Sequence, residues 1–435
     1  MEKSTTPTAN VSNEVNITLP PATHPNIQYA ILSAQQVRLL RDRLEAELPY
    51  SLPLLRRLEF EDDHPSGKDA KVFAAKAVDQ DASPTENEHD NADQDHTKTW
   101  LDAWLMSHTH TETHPSPPWL AAHIDLANQG QTQVFLYSSG SNPASGEFTS
   151  ALQKEGARFL DGSFVFEDSQ PPSPSPSSPL HPHLISTLFN YIHQTLIPLL
   201  PSTPSPDWFE LKRTGKYLST PYDRSKVIFG SIHESMWPYF LSYTSAITRT
   251  DTGYWKYIFE IPIPKPRARS RSQDPTLPTS YHISNLTPTH LQTALDRTPI
   301  PRTLETLRQF TSAGIFHLDE PNPVSWGFLS KDQSISSLHT EDEHRGKGLA
   351  GYVARELLRK AAAAAAAAAA VGKDEDEEGW EEDERERRMN DIYYGHADVS
   401  ESNVGSRSVM EKLGGVPMWK TAWMEVNLRD VFEKN

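Results

Sequence analysis

Ser334-Ile335-Ser336-Ser337-Leu338-His339-Thr340, followed after four residues by Arg345-Gly346-Lys347-Gly348-Leu349-Ala350, is the stretch on which the reading of this chain turns. The first run reads as a strand. The second opens an amphipathic helix whose inner face is Leu349, Val353 and Leu357. Glycines between a strand and a helix start let the backbone approach an anion, and unpaired amides at the helix N-terminus point at it with the dipole behind them. Arg345 and Lys347 add positive charge there, although the same residues also suit a plain tight turn that offsets Glu341, Asp342 and Glu343. Gly-x-x-x-x-Gly-Lys-Ser/Thr does not occur, which argues against a nucleoside-triphosphate loop, and the run also reads as Arg-x-x-Gly-x-Ala.

Working outward, the punctuation around this stretch is regular. Upstream, Tyr281 to Ser284 is a short strand, and Thr287 with Pro288 starts a helix to about Leu295. A second helix is expected from Pro301 to Thr311, then strands at Gly314 to His317 and through Val324, Trp326 and Phe328, with the Lys331-Asp332-Gln333 turn leading into the Ser334 strand. Downstream, Tyr393 to Val399 is a strand, and Asn403 with Ser406 leads a helix that stops at Gly414 and Gly415.

Arg345-x-x-Gly348-x-Ala350 and Asn403-x-x-Ser406, in this order and with these elements between them, resemble the coenzyme A pyrophosphate loop and the late helix start of the GNAT superfamily. The finer resemblance is to its glycine N-acyltransferase-like branch. It runs from Pro323-Val324-Ser325-Trp326-Gly327 through Glu343-His344-Arg345 to His396-Ala397-Asp398-Val399-Ser400 and Asn403. The resemblance implies an α+β chain: a C-terminal GNAT fold, mixed and mostly antiparallel with flanking helices, behind an α/β N-terminal domain read as a degenerate GNAT-like half. It also implies acetyl-CoA or another acyl-CoA as co-substrate, with no metal. Cofactor contacts would come from Leu338, His339, Thr340, Arg345, Gly346, Lys347, Gly348, Leu349, Ala350, Asn403 and Ser406, and the catalytic base would be Glu343. Glu341 on the same segment suits that role equally, and His339 and His396 are alternatives because imidazole titrates near neutrality. Where many members of the superfamily carry a Tyr as proton donor, this chain has Met410. A thiol pKa of roughly 8.5 lets water serve instead.

The rest of the chain divides by composition. Its 435 residues include 35 prolines and no cysteine, with 36% hydrophobic residues. Disulfides, thiolate metal sites and a cysteine nucleophile are therefore excluded. With 41 basic against 58 acidic residues, a net of −17, the chain is not built for broad attraction to nucleic acid or an anionic membrane. A polar start without a signal-like apolar core and the lack of a long apolar run predict a cytoplasmic protein, with the nucleus left open by the Lys265, Arg267, Arg269 and Arg271 run. The expected organisation is a disordered tail over 1–25, an N-terminal domain over 26–261 with loose insertions at about 61–99 and 171–183, a Pro/Arg linker over 262–278, and the acyltransferase domain over 279–432 with an Ala-rich and acidic insertion at 361–390.

Within the N-terminal domain, Ser33 and Gln36 have capping-box spacing before a helix of Val37, Leu40, Leu44 and Leu48. Leu54 to Phe60 reads as a strand, Trp100 to Met106 and Pro118 to Asn128 as helices, Thr132 to Tyr137 as a strand, Leu184 to Leu200 as a helix, and Lys226 to Ile232 and Tyr254 to Ile261 as strands. His108, His110 and His114 suggest a metal site only on paper, since no regular element supports them. The expected partner is a small-molecule or peptide amine; the competing expectation is a GNAT fold retained for binding or scaffolding without turnover.

Overall fold

The computed structural model describes residues 27–78, 95–106, 117–141, 180–216, 221–263, 277–371 and 392–433. In chain order its strands are β1 (Ile27–Ile31), β2 (Lys71–Ala77), β3 (Trp119–Ile124), β4 (Val134–Ser138), β5 (Lys226–His233), β6 (Ile247–Pro262), β7 (Tyr281–Ser284), β8 (Thr311–His317), β9 (Pro323–Leu329), β10 (Ser334–Thr340), β11 (Ile392–Ser400) and β12 (Val416–Asn427). Its helices are α1 (Ala34–Glu45), α2 (Leu52–Asp63), α3 (Asp95–Met106), α4 (His181–Tyr191), α5 (Pro206–Arg213), α6 (Trp237–Leu241), α7 (Pro288–Arg297), α8 (Leu304–Arg308), α9 (Leu349–Val371), α10 (Val404–Lys412) and α11 (Leu428–Glu433).

All the strands join one sheet in the order β1-β2-β3-β4-β5-β12-β6-β11-β10-β9-β8-β7. The two halves repeat one plan. In each, four strands run as an antiparallel meander and the fourth lies parallel to the fifth, β4 on β5 and β10 on β11. A parallel pair needs a crossover, supplied by α4 and α5 in the first half and by α9 in the second. The sixth strands are exchanged: β12 pairs with β5, β6 pairs with β11, and β6 and β12 pair with each other at the centre. This is the mixed, mostly antiparallel α+β architecture expected, with the first half repeating the plan of the second. The exchange puts β6, from the segment read as N-terminal domain, inside the C-terminal half.

Several local expectations hold. Ser33 accepts from the Gln36 amide in a full capping box, and Thr287 forms another with His290. Others change. Leu54 to Phe60 is not a strand but part of α2, which carries Pro53 in its first turn and buries Leu52, Leu54, Leu55 and Leu58; a leucine run without β-branched residues favours helix. Pro118 to Asn128 contains β3 instead of a helix. All six β3 residues are buried, so no alternation marks it in the sequence. The loose insertion expected over 61–99 contains the end of α2, all of β2 and the start of α3. The helix expected over Pro301 to Thr311 shortens to α8, capped by Thr303.

His108, His110, His114, Trp380, most of the Pro/Arg run and the acidic stretch from Lys373 to Arg388 lie outside the described residues. The alanine run does extend its helix, since α9 continues to Val371. Among the described residues no helix is long and apolar enough to cross a membrane.

The second half is held by α9. Leu349, Val353, Leu357 and Leu358 are buried against Ile315, Val324, Ile335 and Ala397, each such side chain contributing about 1.5–3 kcal/mol. Gly327 on β9 permits this approach: a Cβ there would meet Leu338, Leu357 and Val353 at 3.1–3.2 Å. The docking fixes the N-terminus of α9 beside the end of β10.

Candidate active site

The parallel ladder between β10 and β11 is only two pairs long, Ser334 with His396 and Ile335 with Ala397. Beyond them the strands part. A register shift against β9 between Ser336 and His339, with Ser337 at φ 49°, bends β10 away, so its next backbone groups have no β11 partner. Unpaired backbone donors at a strand opening suit a developing oxyanion. Leu338 turns towards α9, whereas His339 stacks on Trp326 across the opposite face, ring centroids 4.6 Å apart.

At the end of β10 a 3₁₀ turn, Asp342–His344, leads into the glycine loop. Gly346 and Gly348 have φ of 77° and 76°, a backbone state costly for other residues, and open space surrounds the position of a Cβ at each. The amides that open α9 follow directly. Arg345 is largely exposed; its Nε donates to the Thr340 carbonyl at 3.1 Å and its guanidinium pairs with Asp342 at 2.8 Å. Lys347 Nζ donates to the Tyr281 hydroxyl at 3.0 Å and to the Glu343 carbonyl at 3.2 Å. Across the opening, Asn403 caps α10, its side-chain oxygen accepting from the Ser406 amide at 3.0 Å, which leaves its Nδ2 hydrogens to offer a ligand. Met410, where a Tyr was looked for, is buried at the edge of the cleft.

The opening continues into a cleft of about 560 Å³. It is bounded by the β3–β4 connection, the segment from Arg297 to Phe310, the β9–β10 turn and the ends of β6 and β11. Leu338, His339, Asn403 and Ser406 line it. Glu343 does not; it is exposed on the 3₁₀ turn. Glu341 is tied to Arg297 at 3.1 Å and to His339 at 3.4 Å.

Of the carboxylates that line the cleft, Asp251, Asp332 and Asp398, the one at the strand opening is Asp398, the first β11 residue past the last ladder pair. Its Oδ1 accepts from Thr421 Oγ1 at 2.9 Å and its Oδ2 from Lys256 Nζ at 2.7 Å. Burial pushes its pKa above the ordinary carboxylate value, with Lys256 opposing the shift. His396, two residues back on the same face, is fully buried, and burial followed by the Lys256 charge lowers its pKa to about 3. It is therefore a neutral imidazole, with Nε2–H donating to the Asp332 carbonyl at 2.7 Å and Nδ1 accepting from Lys256 at 3.1 Å. Asp332 has its carboxylate held by the Ser330 and Ser334 hydroxyls. Burial alone would raise its pKa, but the Lys256 charge and these hydroxyls oppose that and hold it low. Ligand atoms of Asp332, His396 and Asp398 lie within 4.8 Å of one another, a spacing compatible with a metal ion. The Lys256 ammonium, bonded to two of the three, is the positive charge in that cluster.

Four other cleft residues carry chemistry that the sequence reading passed over. Tyr254 lies on β6 opposite Ser400 and packs edge-on against Trp423, with burial raising its pKa. Arg302 and Lys331 line the end of the cleft away from the glycine loop; burial lowers them to about 10 and about 8, respectively. Arg302 Nε has no hydrogen-bond partner, while its Nη1 donates to the Pro301 carbonyl at 3.1 Å and its guanidinium lies over the Phe310 ring. Gln131 bridges the halves by donating to Thr306 at 3.1 Å. The available signal was phase: Tyr254, Lys256 and Ile258 share one strand face, so a lysine sits where an apolar residue was due.

The structure thus brings a strand opening, a glycine loop at a helix start and a buried carboxylate together around one gap. A family model described as the acyl-CoA N-acyltransferase verG N-terminal domain matches residues 24–257, more than half of the chain. The chain belongs to this acyl-CoA N-acyltransferase family. The matched span covers β1 to β5 and β6 as far as Tyr257, and so includes Tyr254 and Lys256.

No curated protein matches the chain. Among solved structures, an X-ray structure of a Drosophila protein covers 92% of this chain and 98% of its own at 11% identity and a TM-score of 0.49. A tandem GNAT protein from the clavulanic acid biosynthesis pathway covers 92% and 98% at 12% identity and 0.38. A GCN5-related N-acetyltransferase from Sphaerobacter thermophilus covers 94% and 96% at 12% identity and 0.36. The family membership rests on the match over 24–257.

Proposed function

We propose that this protein transfers an acyl group, acetyl being the first to try, from a coenzyme A thioester to the amine of a small molecule or peptide by direct attack. The observation that carries this reading is the β10–β11 opening, with free β10 backbone on one side, Asp398 on the other and the Arg345–Ala350 loop at its end. The pyrophosphate lies on the amides of Gly346, Gly348, Leu349 and Ala350, with Arg345 and Lys347 supplying charge. The Leu338, His339 and Thr340 backbone receives the thioester carbonyl, and Asn403 and Ser406 face the pantetheine arm.

Attack requires an uncharged nitrogen. In this reading Asp398, lining the cleft, takes the amine proton in place of Glu343, whose carbonyl instead anchors Lys347. The N–C bond forms, the C–S bond breaks and the thiolate leaves. Tyr254, a hydroxyl kept protonated by burial, returns a proton to the sulfur in the role sought at Met410. Arg302 and Lys331, two cations in the acceptor end of the cleft, favour an amine that also carries an anionic group. The cytoplasm is the compartment this reading expects.

Calorimetric titration with acetyl-CoA and with coenzyme A tests the reading, on the intact protein and on Arg345→Ala and Gly348→Glu. Micromolar binding, weakened about tenfold in Arg345→Ala and abolished in Gly348→Glu, is the expected result. No binding by the folded wild-type protein overturns it.

A further inference from the structure

We propose that Lys256 is a positioning residue for acyl transfer, its buried ammonium locking the Asp398 carboxylate at the β10–β11 opening and keeping it ionised as the proton acceptor. The inference rests on the reading of Asp398 given above and concerns how that residue is made usable.

Lys256 is fully buried on β6, directly opposite Asp398 in the β6–β11 ladder, and Trp419 of β12 flanks it on the other side. A lysine here needs an anionic partner, because an isolated buried ammonium loses its proton or opens the fold. Its Nζ has two partners of different kinds. Asp398 Oδ2 at 2.7 Å neutralises it, and His396 Nδ1 at 3.1 Å accepts one of its remaining protons. His396 is fixed in that orientation by its Nε2–H bond to the Asp332 carbonyl, so the lysine is aimed by a partner that cannot rotate away. Thr421 holds the other carboxylate oxygen. The carboxylate is thus bound from β6 and β12 together, the two strands of the exchanged pair.

The charged and titratable groups around this unit are Asp332 and His396, His233 of β5, Arg56 of α2, and Tyr254 with Asp251 further along β6. Burial and the Lys256 charge keep His233 and His396 neutral, with values of about 3, through the range in which an acetyltransferase would be assayed. Asp332 is the other buried carboxylate beside Lys256, and its serine hydroxyls already satisfy it. Removing the ammonium therefore leaves Asp398 with a single donor in a buried site, where its neutral form gains.

The test compares wild type, Lys256→Met, Asp398→Asn and the double variant, with thermal unfolding and acetyl-CoA titration on each. Thiol release from acetyl-CoA is followed against pH with glycine, spermidine, benzylamine and a short peptide as acceptors. Expected for Lys256→Met are unchanged acetyl-CoA affinity, kcat lowered at least about tenfold, and an acidic limb of the pH profile moved up by about 1–3 units. The double variant is expected to be no slower than Asp398→Asn alone, because Lys256 acts through Asp398. In parallel, carbon-13 NMR of the Asp398 carboxyl follows its titration in wild type and in Lys256→Met without any acceptor. A folded Lys256→Met protein whose acidic limb and Asp398 titration match wild type overturns the proposal. So does a double variant in which the two losses multiply. Wild-type protein that binds acetyl-CoA but turns over with none of the amines counts against the functional reading instead, while the Asp398 titration still decides for or against Lys256. If Lys256→Met does not fold, Lys256→Arg replaces it: retention of charge with a displaced carboxylate is expected to keep the pH limb and lower kcat, and a kcat equal to wild type overturns the positioning role.

Discussion

Lys256 and Asp398 face each other in register across β6 and β11, Nζ 2.7 Å from Oδ2, although 142 positions separate them in the chain. One end of the pair is buried in the sheet and the other edges the cleft. Asp398→Asn keeps the shape and removes the proton acceptor. The expected outcome in steady-state kinetics is a fall in kcat of about 10²–10⁴-fold with KM for acetyl-CoA within twofold of wild type.

Gly346 and Gly348 hold positive φ beside open space. Gly348→Ala is therefore opposed by backbone conformation alone, at about 1–2 kcal/mol, and is expected to weaken acetyl-CoA only moderately. Gly348→Glu adds a carboxylate where phosphate is expected and should abolish calorimetric binding, while Arg345→Ala should weaken it about tenfold. Equal affinities in all three proteins would remove the loop from the cofactor site.

Tyr254→Phe removes a hydroxyl without changing shape. Its expected signature is a roughly tenfold or greater loss of kcat that shrinks when the leaving thiol is made more acidic, measured with a series of acetyl thioesters. A loss independent of the thiol would assign Tyr254 to packing against Trp423.

At the acceptor end, Lys331→Ala and Arg302→Gln are expected to raise KM for an anionic amine about tenfold or more while leaving acetyl-CoA binding unchanged. The lowered Lys331 pKa of about 8 adds a pH dependence. Above that value the ammonium is lost, and KM for an anionic acceptor should rise in wild type but not in Lys331→Ala.

Stability should fall on acidification. His233 and His396 titrate near 3 when folded against about 6.5 when unfolded, so the unfolded chain binds more protons between those values. Their contribution is complete above pH 6.5 and is lost progressively as pH falls towards 3. Glu61, burial notwithstanding, is held low by His123 and Arg57 and adds in the same direction below its unfolded value of about 4.5, whereas Asp398, raised by burial, opposes it. Denaturant midpoints between pH 7 and pH 4 check this; a flat profile would contradict the buried neutral histidines.

The elements legible in the sequence were those encoded by neighbours in the chain. The capping box at Ser33, the Thr287 N-cap with Pro288 behind it, the glycine loop at Arg345 to Ala350 and the Asn403 cap all depend on residues a few positions apart, and each stands where the pattern predicted. The failures have a common cause. β3 is buried on both faces and shows no alternation, and the leucine run of α2 fits either element until packing chooses. Glu343 is expected as base from its place two residues before Arg345, where the resembled branch has a glutamate; the structure puts it, exposed, on the turn after β10 and outside the residues that line the cleft.

By itself the sequence determined the local devices: a strand, a phosphate-sized glycine turn, a helix start and a capped late helix, because hydrogen bonds within a few residues specify them. Only the tertiary structure decided what the opening contains. A strand's alternation says which side chains share a face but not which strand lies beside it, so nothing local in Tyr254 to Ile258 reveals that β6 crosses into the second half between β12 and β11. That exchange is fixed by long-range burial, and it delivers Lys256 to Asp398 and Tyr254 to the edge of the cleft.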